Sequence, residues 1–310
     1  RFEDLPVVPE GWRLVPLDQP VPAQARLAAW TRPHGPWTAS PDLRRLPDGK
    51  VFVADFGREF IGHVRLEIDG KPGTVYDVTV DEHLRNDGMS PVFRHVFTHA
   101  CDRYIGSGGD QVVEAFRTRG GRYVQVIVRG EGRVRAISVR QTLAHPNRDG
   151  SFRCSDPLLT WAWDTGAHTI EASSEDAYVD PWRERGLYVG DALVEHQANR
   201  SLTADPSLDR RCLELFAQSQ NPDGVVLGCA PAWLDNPHLD YSFLWVVWLR
   251  DYVQWTQDHL YAGTHAETVQ RILAAPHVQR ARSGLLIADR HHVFGDWAIA
   301  PEGRLGESLV

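Results

Sequence analysis

The chain is predicted to be multi-domain, an antiparallel β-sandwich followed by an all-α domain of toroid type. Between residues 50 and 143, short runs of Val, Ile, Phe and Tyr recur between Gly- and Asp-containing turns. Within one of them Val64, Leu66 and Ile68 alternate with Arg65 and Glu67, the period of a half-buried strand. After Ser151 the apolar residues fall at helical spacing, and long loops join the runs. Strands do not alternate with these helices, which argues against a doubly wound sheet.

Residues 1–49 carry Pro6, Pro9, Pro16, Pro20, Pro22, Pro33, Pro36 and Pro41. Proline removes ladder donors and breaks helices, so this stretch is expected to be an irregular linker or lead-in. The sandwich is placed over 50–145, with strands at 51–56, 63–68, 75–80, 112–116, 122–128 and 134–143. Gly106-Ser107-Gly108-Gly109 precedes no helix, so it reads as a hairpin turn, not a phosphate loop. The helical domain is placed over 146–310. Ser155-Asp156-Pro157 is a helix start for 158–173. Further helices are expected over 192–202, with Asp191 as its cap, and over 206–219. Another is expected over 240–256, opened by Asp240, and a last one over 266–280. The helix over 240–256 is apolar on most of its surface and is expected to be buried all round.

Composition narrows the function. The formal net charge of −8 disfavours a general affinity for nucleic acid or anionic membrane. No apolar run reaches the ~18 residues that a membrane helix needs. No secretory signal is visible, so a cytoplasmic setting is the expectation, and the start at Arg1 is read as a cropped N-terminus. The cysteines, Cys101, Cys154, Cys212 and Cys229, form no Cys-x-x-Cys pair. No His-x-x-x-His with an acid occurs, and the dyad His291-His292 stands alone. No metal and no cofactor are therefore expected. The 11 Trp and 8 Tyr suit either core packing or a carbohydrate partner, whose flat apolar ring faces stack on aromatic rings.

The densest chemistry lies at 180–191, Asp-Pro-Trp-Arg-Glu-Arg-Gly-Leu-Tyr-Val-Gly-Asp. Glycoside hydrolysis needs an acid to protonate the leaving oxygen and a second carboxylate to activate water or attack. Glu184 lies between Arg183 and Arg185. If either arginine turns to other partners, Glu184 beside Trp182 and Tyr188 suits a proton donor; if both face it, it is a structural ion pair. Asp180 and Asp191 suit the grasp of sugar hydroxyls, since a carboxylate accepts two such bonds. A turn residue and a helix cap are their structural alternatives. Trp233 beside Asp235, and Asp296 beside Trp297, pair an acid with a stacking ring in loops. His196, one turn past Asp191, reads as a packed group.

These residues resemble the bacterial α-L-rhamnosidases, inverting glycoside hydrolases with a six-hairpin (α/α)6 barrel preceded by β-sandwich domains. The stretch from Asp55-Phe56-Gly57 to Gly62 is similar to the opening of that family's sandwich next to the barrel. Gly150-Ser151-Phe152 through Leu159 is similar to the barrel entry. Arg183-Glu184-Arg185 through Gly190-Asp191 is similar to the signature Asp-x-Pro-x-Arg-(Asp)-Glu-Arg-x-x-Trp-x-Gly-Asp. Asp240-Tyr241-Ser242 and Gly295-Asp296-Trp297 follow in the family's order. The resemblance implies Glu184 as general acid, Asp180 and Asp191 as hydroxyl-binding acids, Arg183 as their partner and Trp297 as a pocket wall. The chain departs from the pattern in a shorter Asp180–Glu184 spacing and in Tyr188 where Trp is usual, and both alter the wall. The family's base is a later Glu, so the chain is expected to be a fragment holding roughly half a toroid. Exposed helix faces would then favour self-association into a homo-oligomer. Two alternatives remain. One is a uronate polysaccharide lyase, with Arg183 or Arg185 neutralising a carboxylate and Tyr188 or His196 moving the proton. The other is a non-catalytic carbohydrate-binding fragment.

Overall fold

The structure is a computed structural model. It describes residues 2–5, 13–16, 49–84, 94–95, 98–99, 101–144, 148–232, 237–276, 278–280, 282–284, 286–287 and 293–294. They fall into two compact units. One runs to Leu143 and includes Asp180–Arg185; the other comprises Ala144–Val179 and the residues from Gly186 onward.

The first unit is a curled antiparallel sheet. Its strands are β1 (Phe2–Leu5), β2 (Arg13–Pro16), β3 (Gly49–Gly70) and β4 (Val75–Asp81). After the separate two-residue pair β5 (Arg94–His95) and β6 (Thr98–His99) come β7 (Cys101–Ile105), β8 (Gly109–Glu114), β9 (Arg119–Arg129) and β10 (Gly132–Thr142). The 51–56 and 63–68 runs are one strand, β3, which organises the sheet. Along one edge it pairs first with β9 and then β8; along the other, first with β2 and then β10. β1 and β2 come from the expected lead-in: Phe2–Leu5 pairs with β10 and Arg13–Pro16 with β3. The glycine-rich stretch after β7 is not a hairpin turn, because β7 pairs with β4 while β8 pairs with β3.

Alternation decides which side is core. Val64, Leu66 and Ile68 are buried with Tyr76, Val78, Val80, Val124, Val126, Val128, Ile137 and Val139. Burying each such side chain contributes about 1.5–3 kcal/mol. Other strand positions carry cross-strand ion pairs, including Asp77 with Arg103 at 2.6 Å and Asp55 with Arg122 at 2.7 Å. The β3–β9 register jumps between Asp55 and Phe60, so Phe56–Glu59 leaves the ladder as a bulge. Gly57 takes φ +76° there, and its N–H is accepted by Asp55 Oδ1 at 2.7 Å. Bulges re-aim side chains, and this one carries Glu59.

The second unit is helical: α1 (Pro157–Ala172), α2 (Val189–Asn199), α3 (Ser207–Gln218), α4 (Leu239–Thr256), α5 (His259–Thr264) and α6 (Ala266–Leu273), then the short strands β11 (Gln279–Arg280) and β12 (Leu286–Ile287). Asp156 caps α1 as expected, accepting from the Leu158 N–H at 2.8 Å. The helix expected to reach residue 280 stops at Leu273, and Pro276 lies just beyond it. Residues 279–280 instead pair with β12. The short α5, capped by Asp258 at 2.9 Å, escaped the sequence reading. Helix α4 is not buried all round: Ser242, Trp245, Trp248, Leu249 and Tyr252 are sealed, whereas Phe243, Leu244, Val246 and Val247 are only partly buried. The sealed set follows helical spacing and faces α2 and α3. Among the described residues, no helix is long and apolar enough to cross a membrane.

Candidate active site

The segment Asp180–Arg185 packs within the sheet unit. Asp180 is a turn residue: its Oδ1 accepts the backbone N–H groups of Trp182 at 2.9 Å and Arg183 at 2.6 Å. Its Oδ2 faces Arg183 Nε at 3.4 Å. Trp182 is buried and donates its indole N–H to the Val80 carbonyl at 3.2 Å, with its ring edge-on to His83. Gly120 explains how closely the loop can lie. A Cβ there would stand 2.0 Å from the Pro181 carbonyl oxygen.

The two arginines flanking Glu184 behave differently. Arg185 turns away, donating to the Pro181 carbonyl at 2.8 Å and to Thr118 Oγ1 at 2.5 Å. Arg183 Nε lies between Asp180 and Glu184, 3.5 Å from Glu184 Oε1. The Glu184 side chain is 16% exposed, shielded yet still open to solvent on one side.

The sheet adds acids that the sequence reading did not single out. Burial pushes the Glu59 carboxyl up to about 9, and neighbouring Glu82, Asp180 and Asp81 add to the rise. The Glu82 carboxyl is pushed up to about 7 by burial and Asp180, against a lowering by Arg183. Glu59 lies inside the Asp55–Gly62 motif, and Asp81-Glu82 is an acidic pair ending a buried strand. That adjacency was the available signal.

In the helical unit, Asp191 does not cap α2. The helix begins at Val189 after Tyr188, and Asp191 sits exposed in its first turn, where a carboxylate complements the helix dipole. Tyr188 bridges to Cys229 in an antiparallel pair. Asp240 likewise lies in the first turn of α4, following the cap His238, and its Oδ2 accepts the Phe294 N–H at 3.0 Å. Gly190 lets the Tyr241 hydroxyl come within 3.0 Å of where a Cβ would be, which brings the starts of α2 and α4 together. His196 is fully buried, with Nδ1 2.8 Å from Asp209 Oδ1. It is a packed group, and its burial removes it as a proton carrier for a polymer lyase. Trp233, Asp235, Asp296, Trp297 and the dyad His291-His292 lie outside the described residues. Among the described residues, no group of three or more His, Cys, Asp or Glu could hold a metal ion, and none of the four cysteines forms a disulfide.

Comparison with known proteins defines the class first. Residues 147–307 match the bacterial alpha-L-rhamnosidase six-hairpin glycosidase domain, and residues 44–145 match the bacterial alpha-L-rhamnosidase concanavalin-like domain. The chain thus pairs a β domain with a glycosidase-type helical domain. It belongs to the bacterial α-L-rhamnosidase family.

Among solved structures, the GH78 family rhamnosidase of Bacillus sp. GL1 is similar at 28% identity and a TM-score of 0.71, over 77% of this chain and 25% of that one. A rhamnosidase from Klebsiella oxytoca with rhamnose bound shares the fold, at 22% identity and a TM-score of 0.72, over 84% of this chain and 54% of that one. The Streptomyces avermitilis α-L-rhamnosidase complexed with L-rhamnose also shares it, at 23% identity and a TM-score of 0.61, over 72% and 22%. The chain therefore spans between about a quarter and about half of these proteins. No curated protein matches it.

Proposed function

We propose that the protein carrying this chain is an inverting, exo-acting glycoside hydrolase that removes terminal α-L-rhamnosyl or related six-carbon deoxy sugars, with Glu184 as general acid. The observation that carries this reading is the divergence of the two arginines. Arg185 is spent on Pro181 and Thr118, and Arg183 is shared with Asp180, so Glu184 keeps an oxygen for a leaving group. In this reading 146–310 is the N-terminal part of an (α/α)6 toroid and 50–145 the β domain before it. Asp180 Oδ2 and Arg183 are hydroxyl partners. Tyr188, Asp191 and Trp297 keep the sugar-contact roles that the resemblance implies, and Trp233 and Asp235 keep the stacking and hydroxyl-accepting roles that their pairing of a ring with an acid suggests. Inversion requires the acid and its partner carboxylate to stand ~6.5–9.5 Å apart with water between them. Glu184→Gln in the complete protein tests the assignment on an aryl α-L-rhamnoside. Near-total loss of turnover is expected, and full retained activity would sink it.

A further inference from the structure

Arg185 follows the proposed proton donor and holds a left-handed backbone, φ 55°. A residue with a Cβ keeps such a conformation where its surroundings over-determine it, and these cases cluster at functional sites. The surroundings here are specific. The Arg185 guanidinium is fixed at one nitrogen by the carbonyl of Pro181, inside the same loop. At another it is fixed by the hydroxyl of Thr118, in the link between β8 and β9. Thr118 is two residues from Gly120, against which the Pro181 backbone lies. One short stretch of the sheet unit therefore holds the loop by its backbone and by the arginine that carries the unusual φ.

We propose that Thr118 is a positioning residue of the reaction. Through Arg185 it holds the strained peptide after Glu184, and so it sets the direction of the Glu184 carboxyl. The inference rests on the reading of Glu184 as general acid. It adds that the β domain, through one hydroxyl, orients the proton donor. Thr118 touches no reacting atom. Without its oxygen one of the ties on the Arg185 guanidinium is lost, the peptide after Glu184 is held less firmly, and the adjacent carboxyl is misdirected. Misplacement by about 1 Å can cost up to ~100-fold in turnover.

The complete protein is assayed on an aryl α-L-rhamnoside as wild type, Thr118→Val and Thr118→Ser. Valine keeps the shape and removes the acceptor; serine restores it. Thr118→Val is expected to lower kcat about tenfold with KM nearly unchanged, and to displace the limb of the pH–kcat profile that reports the proton donor. Thr118→Ser should recover most of kcat. A purely structural role would lower the melting temperature and the yield of active enzyme, leaving kcat per active site and the pH profile alone. Should the valine variant fail to fold, Arg185→Gly takes its place. Glycine accepts φ 55° without penalty and removes the clamp, so the same loss of kcat is expected. Unchanged kcat and pH profile in the folded variant overturn the proposal while leaving the glycosidase reading intact. A wild type without turnover overturns both.

Discussion

Trp182 donates its indole N–H to the carbonyl of Val80 at 3.2 Å, joining residues 102 apart in sequence. The bond attaches the loop bearing Glu184 to the end of β4. Replacing Trp182 with Phe keeps an aromatic body but strands a buried carbonyl, which costs about 1–3 kcal/mol. Thermal denaturation should show a lowered midpoint and glycoside turnover should fall with it. An unchanged midpoint would mean the bond contributes nothing.

Gly120 is a steric requirement. An alanine Cβ would lie 2.0 Å from the Pro181 oxygen and 2.7 Å from its Cβ, so the loop must shift. Overpacking of this kind costs about 1–3 kcal/mol. Gly120→Ala should lose activity and melt earlier. The same substitution at Gly57 or Gly73, where nothing lies within 4 Å of an added Cβ, tests backbone strain alone, since both have positive φ. A Gly120 variant no worse than these two would disprove the close approach.

Glu59 makes stability depend on pH in a stated direction. Its folded carboxyl holds a proton up to about pH 9, amid Glu82, Asp180 and Asp81, with Arg183 beside Glu82. In the unfolded chain it ionises near the ordinary carboxyl value of 4.5. Across that window the folded state binds more protons, so stability falls as pH rises from about 4.5 toward 9, and this contribution levels off outside it. Glu59→Gln should flatten the decline and raise the melting temperature most at the alkaline end. Parallel melting curves for variant and wild type between pH 5 and 9 would refute the prediction.

Period and punctuation made the β-then-α order readable, and the start of α1 at Asp156-Pro157 was written in local residues. The two halves of β3 read as separate strands because Gly57 and the bulge interrupt the alternation. Sequence spacing had no means of telling that both halves share one backbone. The acids Glu59 and Glu82 were missed for a related reason. They come from β3 and the end of β4, far from residue 180 in sequence, so only the folded sheet brings them to Asp180. The competition between Arg183 and Arg185 for Glu184 was visible as a question. Its answer depended on Thr118, which carries no motif.

The buried polar network of the helical unit yields the last prediction. Asp209 Oδ1 meets His196 Nδ1 at 2.8 Å and the Tyr178 hydroxyl at 3.2 Å, and that hydroxyl accepts from Asn199 Nδ2 at 2.9 Å. Asp209 and His196 are wholly buried, and Tyr178 and Asn199 nearly so. Burial and the nearby Asp209 carboxylate raise the Tyr178 phenol, so it stays neutral and can donate to that carboxylate. Asp209→Ala would leave the histidine and the tyrosine facing apolar surroundings together. Each buried donor left without its acceptor costs about 1–3 kcal/mol. Asp209→Asn keeps an acceptor oxygen and should cost less. Equilibrium denaturation of the two variants checks the order: alanine the least stable, asparagine between it and wild type. If alanine matched asparagine, the network would be carried by packing around Trp248 and Phe216 and not by its hydrogen bonds.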